Sequence, residues 1–438
     1  MKKLLGVVLT LCMVLALTPA AFAAGIVASG YCGGEGDGTN LSWTLDSSGT
    51  LTISGKGKMA VDYGWYQHFP TDAKFSSVVI KNGVTSIGKE AFDMMNLKSA
   101  IIPATIETIG EFAFWDNSFE NIAIPEGVKT ILPDAFGWCG NLKNVYIPST
   151  VTSIGTRAFD CAGVEGSLTA INVAPGNQYY SSIDGVLFNK TQTELVEYPA
   201  GASRIGYTVP SGVVSIGTFA FDNCEGLKNV VMPASITNIS EYAFCDTMGP
   251  LSRNIYFCGA APAAVAAEDE YDTGSFPAYA VTLYYIQGKA GWTSPTWKGY
   301  KTALWKVPAS PSATVKKCTN GTVTTTPANT ACQTVTVTTA PASGCKLDSL
   351  TVKGSCGNTV AAKSMGGGQY SFVMPQDAVT ITAVFIASSL PFSDVSQNAW
   401  YYRNVAYVFP NRLMGGTGGS SFSPQTQLSR AMASTTTM

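Results

Sequence analysis

Thiols are among the groups in this chain that could do chemistry. It carries eleven cysteines and a single histidine, His68. A thiolate can attack a substrate, bind a metal or pair in a disulfide. A zinc site would want Cys-x-x-Cys pairs or a histidine nearby, and the cysteine spacings supply neither. His68 lies in Trp65-Tyr66-Gln67-His68-Phe69-Pro70. A catalytic histidine needs a nucleophile and an orienting partner. No Gly-x-Ser-x-Gly elbow or His-Glu-x-x-His motif supplies them, so His68 reads as part of an aromatic-rich cap. Gly55-Lys56-Gly57 and the Gly33 to Gly38 run are too short for nucleotide loops and lack the strand–turn–helix setting such loops require. Glycoside hydrolysis would need two placed carboxylates, but the acids read as solvated positions of a repeat. The expectation is a non-enzymatic chain with no catalytic, cofactor-binding or metal-ligating residue.

The cysteines fall into two sets. Cys139, Cys161, Cys224 and Cys245 follow repeated phenylalanines by one to three residues, which puts them near one corner of successive structural units. Cys139–Cys161 or Cys224–Cys245 could pair there, or the cysteines could be small buried corner residues. Cys318, Cys332, Cys345 and Cys356 share a short stretch where disulfides would help a thin core. Four cysteines allow three pairings, and the spacing does not choose among them.

The elements that position these groups follow from composition and period. At 438 residues the chain has room for two to four domains. With 27 Lys+Arg against 29 Asp+Glu it offers no basic footprint for nucleic acid. Met1-Lys2-Lys3, the apolar run Leu4 to Leu17 and Ala21-Phe22-Ala23 read as a signal peptide over residues 1–23. The apolar run is too short to span a bilayer, and no later stretch is apolar enough. The expectation is a secreted protein that spans no membrane.

A repeat dominates the middle. Ile87-Gly88-Lys89-Glu90-Ala91-Phe92 recurs from Ile109, Ile131, Ile154, Ile216 and Ile239, at steps of 22, 22, 23, 62 and 23 residues. The long step has room for one divergent unit plus an insertion, and Val209-Pro210 inside it matches the Ile-Pro of other units. Leu142-Lys143-Asn144-Val145-Tyr146-Ile147-Pro148 alternates as a half-buried strand does, and proline ends it. Gly-x-x-Ala-Phe should supply a tight corner and a short helical turn, with the phenylalanine filling the interior. Such units bury their apolar faces only by stacking.

The six units resemble the leucine-rich repeats of BspA-like bacterial and protist surface proteins. Residues 179–199 resemble an insertion seen in that class, and Leu41–Asp46 with Gly49–Gly55 its N-terminal cap. Residues 308–386 turn rich in Thr, Val and Ala with strict alternation at Thr334-Val335-Thr336-Val337-Thr338. Tyr370-Ser371-Phe372-Val373-Met374-Pro375 there resembles the internalin-type B-repeat, usually a spacer. Residues 391–438 resemble an S-layer homology motif, from Pro391-Phe392-Ser393-Asp394-Val395 to Leu428-Ser429-Arg430-Ala431-Met432. Only one copy is present, Ser429 and Met432 stand where Thr and Glu are common, and residues 433–438 lack the closing apolar helix, so the motif is expected to be partial. The resemblance implies that Arg430 contacts acidic cell-wall polysaccharide through its guanidinium fork, with Trp400 a sugar-stacking or core partner.

The fold expectation is mostly β with short helical turns: a leucine-rich-repeat solenoid of parallel β, right-handed coils, then a small β-domain and a small α-helical partial S-layer homology motif. The domains are expected at 1–23 (signal), 24–77 (hairpin cap), 78–305 (solenoid), 308–386 and 391–438. If Val145 and Ile147 face inward, Tyr146 faces out, and Ala123 and Ala100 are expected beside it on the strand face, with Val231 equivalent in a later coil. That face suits a host or bacterial surface protein or glycan. The functional expectation is an adhesion or interaction module tethered to the cell wall, with a structural envelope component lacking a specific partner as the alternative.

Overall fold

The computed structural model describes residues 25–423, apart from 62–68, 71–72, 161–166, 203–204, 246–252, 268–273, 278–280, 307–310, 329, 355–358, 376–377, 398–400, 412 and 414–419. Residues 1–23, His68, Cys161 and Cys356 therefore lie outside the described residues.

Three antiparallel strands, Ile26–Tyr31, Leu41–Asp46 and Thr50–Gly55, open the fold. The Asp46 carboxylate accepts the backbone N–H groups of Ser48 and Thr50 and closes the turn between the second and third. Thr50–Gly55 then pairs in parallel with Ser77–Ile80, and that strand with Ser99–Ile101. The cap is thus hydrogen-bonded into the wide sheet of the solenoid and covers its first edge.

Most coils contribute one strand to this face and a strand of two to four residues to a second sheet, while residues 119–125 join the face through a single Asn121–Asn144 bridge. The second sheet aligns the repeat isoleucines in register: Ile87 with Ile109, Ile109 with Ile131, Ile131 with Ile154. Backbones approach closely beside it. A Cβ on Gly110 would stand 2.5 Å from the Gly88 carbonyl oxygen, which is why glycine follows most of these isoleucines. Between the sheets Phe92, Phe114, Phe136 and Phe159 stack with ring centroids 5.1, 5.3 and 5.7 Å apart, all fully buried. Each such burial contributes about 1.5–3 kcal/mol.

The corner is not the short helical turn expected. The residue before each Ala-Phe is left-handed: Glu90, Phe112, Asp134, Arg157, Phe219 and Tyr242 have φ between 53° and 59°. This backbone points alternate N–H groups at the next coil. Phe92 donates to the Ala113 carbonyl, Phe114 to Ala135 and Phe136 to Ala158, at 2.8 to 2.9 Å. A left-handed residue costs about 1–2 kcal/mol, and inter-coil hydrogen bonds offset it. A helical turn would have spent those donors within its own coil.

The long step is a hairpin followed by a divergent coil. Tyr180–Ile183, Val186–Asn189 and Glu194–Glu197 pair antiparallel, and Leu195 takes the isoleucine position opposite Ile216. Tyr198 replaces the phenylalanine and stacks on Phe221 at 5.3 Å. Phe221, Phe244 and Phe276 continue the ladder.

The small β-domain has a three-stranded sheet of Ala313–Val315, Val379–Ala387 and Cys345–Gly354. A four-stranded sheet joins Gly321–Thr325, Thr334–Pro341, Gln369–Val373 and Lys363–Gly366. Val335, Val337, Val352, Phe372 and Ile381 pack between them. The only helix among the described residues, Tyr402–Val408, follows and buries Val405 beside Phe392 and Val395.

Candidate interaction face

The wide sheet presents one strand per coil, and its outward column is fixed by register. Thr52 stands beside Val79, and Val79 beside Ile101. The bridge between Asn121 and Asn144 sets Ala123 next to Tyr146, which is paired with Asn172. Ala123 and Asn172 are exposed, Ile101 is 62% exposed and Tyr146 54%. Val145 and Ile147 point inward and are buried, as the alternation requires. Ala100 is misplaced in the expected set. It lies in register with buried Leu51 and Val78 and packs half-buried against the core. A one-residue slip exchanges the two faces of a strand, so the outward neighbour is Ile101.

The same column continues in later coils as Thr208, Val231, Tyr256, Tyr284 and Ala303. There it is covered. Val231 is 6% exposed and Thr208 3%. Val231, Cys258 and Trp305 form one apolar cluster with Ala331 and Val373 of the small β-domain, edged by Tyr256, Tyr284 and Ile286. Tyr256 stacks on Tyr284 at 4.8 Å and leans on Trp305 at 5.0 Å. Ser211 Oγ and Ser371 Oγ share a hydrogen bond of 2.9 Å, and Lys363 Nζ donates to the Thr191 carbonyl at 3.4 Å.

A disulfide crosses this contact, joining Cys258 to Cys332 over a Cα separation of 5.3 Å. The expected pairing within the small β-domain is corrected accordingly: Cys332 has its partner in the solenoid, and Cys318 and Cys345 form no disulfide. Cys224 and Cys245 form none either. Cys139 is a buried corner residue whose Sγ lies 3.3 Å from the Phe114 carbonyl oxygen. Burial pushes its thiol up to about 12, so it is an inert core group rather than a nucleophile.

The acids are not all solvated, contrary to expectation. Asp160, Glu197 and Asp222 are buried where the repeat pattern breaks. Arg157 faces Asp160 at 3.1 Å and Asp134 and Asp222 at 3.5 Å, with its guanidinium over the Phe219 ring. Burial first, then the neighbouring Asp160, raises the Glu197 carboxyl well above the usual range, while the Phe159 N–H donates to it. Glu197 thus takes the place of the alanine carbonyl that the other phenylalanine N–H groups meet. Burial also raises Asp160, against the pull of Arg157. These groups join two stacks of coils and line a small pocket with Phe159 and Tyr198. Among the described residues no group of His, Cys, Asp and Glu could hold a metal ion.

Beyond the small β-domain, Asp394 accepts the N–H groups of Phe422 at 2.8 Å and Ser423 at 2.7 Å, which holds its carboxyl below the usual range. That contact folds residues 422–423 back onto the opening Pro391–Val395 segment of the S-layer-like motif, whose closing segment Leu428–Met432 lies outside the described residues. Phe392 packs against Phe409 and Phe422. Arg403 of the helix donates through Nε to both Asp348 oxygens at 2.8 and 2.9 Å. Trp400 and Arg430 lie outside the described residues. Among those described, no helix is long and apolar enough to cross a membrane.

Comparison with known proteins agrees with this architecture. Residues 66–193 and 200–255 match the BspA type leucine rich repeat region in 6 copies. Residues 312–389 match the divergent InlB B-repeat domain, and 391–433 the S-layer homology domain. No curated protein matches the chain. Among solved structures, a leucine-rich repeat protein from Eubacterium ventriosum is 22% identical, covering 52% of this chain and 78% of that one, with a TM-score of 0.37. The pneumococcal vaccine antigen PcpA is 16% identical over 61% and 98%, with a TM-score of 0.30. A leucine rich cell surface protein from Faecalibacterium prausnitzii is 18% identical over 60% and 92%, with a TM-score of 0.33. The chain is therefore a cell-surface protein with BspA-type leucine-rich repeats, a divergent InlB B-repeat domain and an S-layer homology domain that attaches it to the cell wall.

Proposed function

We propose that the early strand face, from Val79 to Asn172, is a recognition surface for an extracellular protein or a surface glycan. One observation carries this reading. The column through Ile101, Ala123 and Tyr146 is exposed, while its continuation is occupied by the protein's own B-repeat domain. An aromatic ring among small side chains offers contact area at little entropy cost. In this reading the protein is exported by residues 1–23, the mature chain divides at 24–77, 78–305, 308–386 and 391–438, and none of these segments is an enzyme. Arg430, with Trp400, holds acidic wall polysaccharide, as in the S-layer homology resemblance.

The test is capture of the mature chain on arrays of host extracellular proteins and bacterial surface glycans. Saturable binding that falls at least tenfold in Tyr146→Glu supports the recognition surface. Binding unchanged in Tyr146→Glu and Ile101→Glu refutes it. No saturable partner, with wall sedimentation retained, favours a structural envelope component. Arg430→Ala should abolish that sedimentation if the wall reading holds.

A further inference from the structure

We propose that the B-repeat domain is a thiol-releasable cover over the aromatic column of the later coils. The occupant in the resting protein is the chain's own residues 312–387, seated on Val231, Cys258 and Trp305 through Ala331 and Val373. A spacer would need no such seat. The covered column is richer in aromatics than the open one: Tyr256, Tyr284 and Trp305 form a continuous aromatic ladder, whereas the early face presents one tyrosine in a column with Ile101, Ala123 and Asn172. Apart from the disulfide, two side-chain hydrogen bonds are seen across the contact among the described residues, Ser211–Ser371 and the long Lys363–Thr191 one. Each contributes about 1 kcal/mol. The disulfide converts this modest contact into a permanent one, because a tether holds the second partner at high effective concentration.

Access to the two sulfurs is unequal. Cys258 is buried, whereas Cys332 is half-exposed on a left-handed turn with φ 67°. A dithiol donor therefore attacks Cys332 Sγ. Cys258 leaves as a thiolate and takes a proton, and the donor's second thiol resolves the mixed disulfide. Both cysteines end as thiols and the donor as a disulfide, with two electrons transferred. The opened domain then exposes the tyrosine ladder to solvent, while the early face stays as it was.

The experiment is hydroxyl-radical footprinting of the full chain before and after dithiothreitol, read by mass spectrometry at Tyr256, Tyr284, Tyr146 and the core residue Tyr207. Support is low labelling of Tyr256 and Tyr284 in the oxidised chain, rising at least threefold once Cys258 and Cys332 alkylate, with Tyr146 and Tyr207 unchanged. No rise after both cysteines alkylate overturns the proposal, because the cover then holds without its latch. A parallel rise at Tyr207 also overturns it, since the solenoid itself would be opening. Cys258→Ser with Cys332→Ser should reproduce the uncovered pattern without reductant. A folded double variant that keeps both tyrosines protected counts against the proposal in the same way.

Discussion

Tyr146 and Val231 hold the same position of the same strand in two coils of one solenoid, yet Tyr146 is 54% exposed and Val231 6%. Their inward neighbours Val145 and Val230 are equally buried. The coil dictates which way each side chain points, and the module packed on top dictates what that side chain meets. Exposure on a repeat face is thus a property of the whole chain, and the recognition surface ends where the protein's own domain begins.

The sharpest way to break this comparison is one substitution made at both places. Val231→Glu would bury a carboxylate in the apolar cluster with Ala331 and Val373. It should cost about 3–5 kcal/mol or expel the B-repeat domain. Tyr146→Glu, on an open strand, should change stability by less than about 0.5 kcal/mol. Urea unfolding of both variants checks this, and equal losses would end the distinction between the faces.

Removal of the disulfide comes next. Cys332→Ser should lower stability by about 2–4 kcal/mol, with the loss in the B-repeat domain and the later coils. Hydrogen exchange localises it: Thr334–Pro341 and Asn229–Met232 should exchange faster, and Asn144–Ile147 should not. Faster exchange spread evenly over both halves would show the solenoid to be a single cooperative unit instead.

The early half also has its own pH response. Burial, then Glu90 and Asp116, raises Asp93 to about 6. Burial raises Asp134 to about 6 as well, with Asp160 and Glu111 adding to it and Arg157 opposing. Both stand above the ordinary carboxyl value near 3.9. Their stabilising contribution is complete below pH about 4 and is lost as pH rises through about 6. Melting temperatures should therefore fall by a few degrees between those limits. Asp93→Asn with Asp134→Asn should flatten that slope, and an unchanged slope would place the titration elsewhere.

Much of this was legible in the sequence because stacking imposes a period. Isoleucines 22 or 23 residues apart fall in register, and Ala-Phe pairs mark the ladder between the sheets. The left-handed corners were not legible. Glu90, Phe112, Asp134 and Arg157 share no side-chain chemistry, and the backbone there serves the next coil. Tyr198 was hidden because its coil reaches the aromatic position three residues after Leu195, rather than five after isoleucine. The cover left no trace in the alternation. Val230-Val231-Met232 and Ile255-Tyr256-Phe257 are continuous apolar runs, but so are the uncovered Ile122-Ala123-Ile124 and Val145-Tyr146-Ile147. The Cys258–Cys332 pairing spans 74 residues between modules, and no local pattern encodes such a docking.

The smallest effect concerns the far side of the B-repeat domain. There Arg403 grips Asp348 in a bidentate pair, but its side chain is 67% exposed. Solvent-exposed ion pairs are worth about 0–1 kcal/mol. Arg403→Ala should therefore leave the melting temperature nearly unchanged, whereas Cys332→Ser lowers it. Yet the same substitution should loosen the S-layer homology helix from the strand Cys345–Gly354. Amide exchange in Tyr402–Val408 would rise several-fold while exchange at Val231 stayed constant. The two ends of the B-repeat domain would then differ in kind, one side fixed to the solenoid by a covalent bond and a buried seat, the other held to the wall module by surface contacts, the Arg403–Asp348 pair and the Thr319–Asn411 hydrogen bond among them. A large thermal penalty for Arg403→Ala would reverse that order and make the wall module an integral part of the same folded body.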